Sequence, residues 1–117
     1  MRIQSLPKIL FVALALVFSA SVLQAQVTEV EPNNTPAKAN AMPLNGYGNG
    51  AIIPSGEVDW WKVKTNGDGL LSVTLTPLSS VYTYVELYDT LGTIQLAGNY
   101  SSVAVTISAD GLALGTY

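Results

Sequence analysis

From residue 58 onward, apolar and polar positions alternate with a period of two, the signature of half-buried strands. Asp59, Trp61 and Val63 fall on one face, with Val58, Trp60, Lys62 and Lys64 on the other. Leu71, Val73 and Leu75 alternate with Ser72, Thr74 and Thr76, while Val81, Thr83, Val85 and Leu87 oppose Tyr82, Tyr84, Glu86 and Tyr88. Ile94 and Leu96 start a further strand that Gly98-Asn99 ends, and Val103, Val105 and Ile107 make the last full one, closed by Asp110-Gly111. A short strand is expected over Ala51–Ile53. Asn66-Gly67-Asp68-Gly69 and Asp89-Thr90-Leu91-Gly92 supply the turns. No helical period survives past residue 25 and no internal repeat occurs. Strands in this succession predict an all-β protein, an antiparallel β-sandwich.

The first 40 residues follow different rules. Arg2 and Lys8 precede an apolar run from Ile9 to Leu23, and Leu23-Gln24-Ala25 resembles a small-residue cleavage site, so residues 1–25 read as a secretory signal peptide. The run falls short of the roughly 20 apolar residues of a membrane span, which leaves an uncleaved N-terminal anchor as the lesser alternative. With no cysteine after it, a lipid-modified bacterial lipoprotein is excluded. Residues 26–40 form a polar leader, in which Pro32 and Pro36 disfavour helix in the residue before each. One short turn is compatible with Ala37–Met42, and Asn45-Gly46-Tyr47-Gly48-Asn49-Gly50 is a glycine-rich turn. The sandwich domain is expected over residues 41–117. Leu112–Tyr117 looks like the start of another strand, so Tyr117 reads as a truncation point that leaves the last strand missing.

Composition narrows the chemistry. The chain of 117 residues holds no cysteine and no histidine, which excludes thiol nucleophiles, Ser-His-Asp triads, disulfides and zinc sites of the usual kind. Behind the signal peptide, Lys38, Lys62 and Lys64 stand against eight acidic residues, so nothing offers a basic footprint for nucleic acid or anionic lipid. Ser55, Ser79, Ser80, Ser101 and Ser102 have no base placed by any motif, and no G-x-S-x-G elbow occurs. These residues are therefore read as non-catalytic.

The order of motifs resembles a known family. Glu29-Val-Glu31-Pro-Asn33-Asn34-Thr-Pro-Ala37-Lys-Ala39 is similar to the opening of the bacterial pre-peptidase C-terminal domain, E-x-E-P-N-[ND]-[ST]-x-x-x-A. Gly56-Glu57-Val58-Asp59-Trp60-Trp61-Lys62-Val63 resembles its G-D-x-D-W-[YF]-x-[FV] strand, with Glu57 where the family often has Asp. Leu71–Leu75, Val85–Asp89 and Gly115–Tyr117 match later strands in the same order, so the resemblance spans about residues 27–117. It implies a secreted, non-catalytic, jelly-roll-like β-sandwich attached to extracellular peptidases and other exported enzymes. Related domains of bacterial collagenases bind calcium and collagen. The family's module usually follows a catalytic domain, whereas here it stands directly behind the signal peptide.

Two sets of residues are candidates for function. Calcium takes six to eight oxygen ligands. Glu29, Glu31 and Asn33 alternate in the leader and can converge from one side, with Glu57 and Asp59 closing the site from the other. Asn34 is a weaker candidate. The resemblance assigns calcium to the leader acids and Asp59. The same acids also read as solvated linker charges, with Asp59 capping a turn or pairing with a lysine. The second set is aromatic. Trp60 shares a face with Lys62 and Lys64, and Tyr82 and Tyr84 line the outer face of another strand with Tyr88. Exposed aromatic residues suit recognition of protein or polysaccharide, while cross-strand packing accounts for the same pattern. The expectation is an exported accessory module, calcium-stabilised, that binds an extracellular polymer or supports an attached enzyme. The alternatives are the N-terminal piece of a secreted peptidase or other hydrolase, and a repeat unit of a surface adhesion protein.

Overall fold

Alternating segments form strands, and the glycine- and proline-rich segments separate them. A computed structural model describes residues 24–117 apart from Ser79. Of the signal peptide expected over residues 1–25, all but Gln24 and Ala25 lies outside the described residues. The strands are β1 (Gln26–Thr28), β2 (Asn40–Met42), β3 (Tyr47–Asn49), β4 (Trp61–Val63), β5 (Gly69–Leu75), β6 (Thr83–Tyr88), β7 (Gln95–Ser101) and β8 (Val105–Leu112). A single 3-10 turn covers Pro36–Lys38. The described chain is all-β, with no α-helix and no helix long and apolar enough to cross a membrane.

Four ladders hold the strands. β5 pairs antiparallel with β8, placing Val73 opposite Ile107 and Leu75 opposite Val105. β6 pairs antiparallel with β7, placing Tyr84 opposite Tyr100 and Glu86 opposite Gly98. The other two differ from the antiparallel expectation, since β1 runs parallel to β3 and β2 parallel to β4. Parallel neighbours need a long return connection, and the segments Glu29–Gly46 and Pro43–Trp60 provide one for each pair. The apolar core draws Val63, Leu71, Leu87 and Ile107 from β4, β5, β6 and β8. All four occupy inward positions of the alternation, and Leu44, Val85, Ala97, Leu112 and Tyr117 pack around them.

Several boundaries depart from the alternation. Ala51–Ile53 forms no strand, and only Trp61–Val63 of the 58–64 segment is laddered. β7 runs through Gly98-Asn99 to Ser101. Asp110-Gly111 does not close β8: the register shift opposite Leu70 absorbs both residues as a bulge, with Gly111 at φ +68°. Residues 115–117 lie antiparallel along β4 on the edge away from β2. Val63 N–H donates to the Tyr117 carbonyl at 2.7 Å, and Tyr117 N–H donates back to Val63 at 2.9 Å. The turn after β6 is closed by Asp89, whose Oδ1 accepts the N–H groups of Thr93 and Ile94. The Ile94 and Thr93 bonds hold its carboxyl below the usual range.

Candidate functional site

The leader is strapped to the rest of the chain by backbone bonds at intervals. Glu29 N–H donates to Asn49 just past the β1–β3 ladder, at 2.9 Å. Asn40, at the start of β2, clamps Val30 from both sides: its Oδ1 accepts Val30 N–H at 3.0 Å, and its Nδ2 donates to the Val30 carbonyl at 3.2 Å. The Asn33 carbonyl accepts Trp60 N–H at 3.0 Å, just before β4. Together these bonds lay the leader across the entrance to β4.

Glu29, Glu31 and Asp59 therefore converge, one carboxylate oxygen from each lying within 4.8 Å of the others. Asn33 beneath them is fully buried. Because the double clamp on Val30 fixes the Asn40 amide, Asn33 turns its own oxygen to Asn40 Nδ2 at 2.8 Å. The Asn33 nitrogen then faces Asp59 Oδ1 and both Glu31 oxygens at 3.3 Å. Asn33 thus donates to the carboxylates and orients them. Its backbone N–H also donates to Glu31 Oε2 at 3.0 Å.

Glu29 is held by the glycine-rich segment. Its Oε1 accepts Ala51 N–H, while Oε2 is buried without a hydrogen-bond partner among the described residues. Gly50 makes room for this, since a Cβ there would collide with the Glu29 carboxylate. Burial, followed by the neighbouring charge of Glu29 and its hydrogen bond, raises the Asp59 pKa from 3.8 to about 6, with Glu31 and Glu57 adding to it. Three clustered acids supported by one amide form a site of unbalanced negative potential. Their hard oxygen donors suit a cation of the calcium type.

Glu57 stands outside this trio. Its Oε1 accepts from Asn34 Nδ2 at 3.1 Å and its Oε2 accepts Ile53 N–H at 2.8 Å, so it ties the 53–57 loop to the leader. Asn34 is exposed and serves as the other half of that tie.

The aromatic candidates lie along β6. Trp60 is half-buried, and its ring packs on Tyr88 with centroids 5.1 Å apart. Tyr82 and Tyr84 are exposed and flank Tyr100 of β7, at centroid distances of 5.9 and 5.3 Å. Asn40, Gly50 and Tyr100 all escaped the sequence reading. The first is an unremarkable polar residue and the second one glycine among several, while Tyr100 was hidden by the expectation that its strand ended at Gly98-Asn99. Comparison with protein families, with characterised proteins and with solved structures returned no match for this chain.

Proposed function

We propose that this chain is a non-catalytic, exported β-sandwich module of the jelly-roll kind, resembling the pre-peptidase C-terminal domain, in which calcium fastens the leader to the strands. The observation that carries this reading is the convergence of Glu29, Glu31 and Asp59 above the buried Asn33, with one Glu29 oxygen buried and unpaired among the described residues. A buried carboxylate oxygen without a donor is costly, and a divalent cation would balance both that oxygen and the mutual repulsion of the three acids. Glu29, Glu31 and Asp59 would hold the ion, and Asn33 would keep Glu31 and Asp59 aimed. When bound, calcium supplies positive charge and ligand positions that close the leader onto β4. Glu57 and Asn34 support the same closure from outside the site.

Thermal unfolding in calcium and in EDTA tests the proposal. The midpoint should rise in calcium, and Asp59→Asn should remove most of the difference. Identical midpoints in calcium and chelator would sink it.

A further inference from the structure

We infer that the outer face of the β6–β7 ribbon is a binding surface for a neutral polysaccharide chain. Tyr84, Glu86 and Tyr88 point outward from β6, opposite Tyr100, Gly98 and Gln95 of β7. Tyr82 extends the row at one end and Trp60 covers Tyr88 at the other. At the strand rise of about 3.3 Å per residue, Tyr82 to Tyr88 spans roughly 20 Å, enough for several sugar rings.

Chemistry along the strip alternates in the way a sugar chain does. Tyr82, Tyr84 and Tyr100 pack on one another yet leave 67%, 71% and 57% of their surface exposed, which offers aromatic surface to the apolar C–H faces of sugars. Between the aromatic ends, Gly98 leaves a gap in the side-chain layer. The Gln95 amide fills the space where a Cβ would sit, beside Glu86. Glu86 accepts the Tyr88 hydroxyl at 3.1 Å and keeps its remaining lone pairs for sugar hydroxyls.

The same rows argue against other occupants. Tyr84–Tyr100, Glu86–Gly98 and Tyr88–Gln95 contain no cation, so an acidic polymer meets only Glu86 and the nearby Asp89. They also contain no aliphatic side chain, whereas protein-binding hot spots combine aromatic residues with arginine and a desolvated apolar core. An uncharged chain with stacking faces and many hydroxyls is the complementary partner.

This inference rests on the reading of the chain as an exported, non-catalytic module and is independent of calcium. Its test is native electrophoresis through gels containing hydroxyethylcellulose, with pull-down on microcrystalline cellulose, chitin and gelatin beads. The midpoint difference between calcium and EDTA is read on the same samples, so failure of the metal site and failure of the glycan face show in different measurements. The expected result is retardation or capture by a glycan. Tyr84→Leu and Tyr100→Leu, which keep apolar area and remove the ring, should each weaken it about tenfold with unchanged melting. Leu91→Ala should leave it unchanged. No capture by any of the three glycans overturns the proposal, as does capture indifferent to both tyrosines. Tyrosine-dependent capture by gelatin alone would make this a protein-binding face and would equally overturn it.

Discussion

Asn33 is fully buried, and its carbonyl accepts the N–H of Trp60 at 3.0 Å, so one leader residue docks the chain beside β4 while its side chain aligns the acids above. Replacing it separates the two roles. Asn33→Ala keeps the backbone bond but strips the amide from Asn40, Glu31 and Asp59. It should cost about 1–3 kcal/mol in denaturant unfolding, the range for leaving buried polar groups unpaired.

Acid should strengthen the metal-free protein over one pH window. Asp59 binds its proton more tightly when folded, with a pKa near 6 against the ordinary 3.8. Its ionisation therefore opposes folding above pH 6, and that opposition fades as the pH falls from 6 towards 4. In EDTA, the contribution of this group should raise the melting midpoint across that interval. Asp59→Asn should flatten the rise. In calcium the dependence should reverse, because protons then compete with the ion. Midpoints measured across the interval in both buffers check the sign.

Gly50→Ala should act on the metal site and spare the fold. The added Cβ collides only with the far end of the Glu29 side chain, which can swing away. Stability in EDTA should change by less than about 1 kcal/mol. The increment that calcium adds should fall, because one of three carboxylates has left. Paired melts of the variant and the parent measure both quantities.

Thr65 is a buried polar residue with an unusual share of bonds. Its hydroxyl donates to the Gly115 carbonyl at 3.1 Å and accepts Gly115 N–H at 2.9 Å, while its own N–H donates to that carbonyl at 2.8 Å. Thr65→Val preserves volume and leaves Gly115 N–H without its acceptor, for an expected loss of about 1–3 kcal/mol by urea unfolding.

Leu87→Ala should be the costliest of these substitutions, about 2–5 kcal/mol, because Leu87 is 6% exposed among Val63, Leu71 and Ile107. Leu91→Ala, with 76% of its surface already in water, should change the same unfolding curve little.

The core was legible because it is written in a period of two. Leu71, Leu87 and Ile107 each sit in a run whose neighbours alternate cleanly, and burial follows the alternation. β1 and β3 escaped because three-residue strands carry almost no periodicity, and their pairing is a matter of long return connections. The metal candidates were half legible. Glu29, Glu31 and Asp59 stood out as acids at alternating or motif positions. That Asn33 orients them, and that Glu57 turns instead to Asn34 and Ile53, depends on Asn40 and on the 53–57 loop, which meet the leader only in three dimensions.

The leader's two parallel ladders also bury little. Gln26–Thr28 pairs only with Tyr47–Asn49 among the described residues, and the Asn33 strap depends on Trp60. β5 to β8, by contrast, close antiparallel ladders among themselves and supply most of the core. Few buried contacts and solvent-exposed backbone bonds mark the low-stability end of a fold. The leader is accordingly expected to open before the strands behind it, with the Tyr47 amide exchanging with solvent sooner than the amides of β5. Cation binding at its acids would be felt as a latch on that opening and would leave the strands behind it largely as they are.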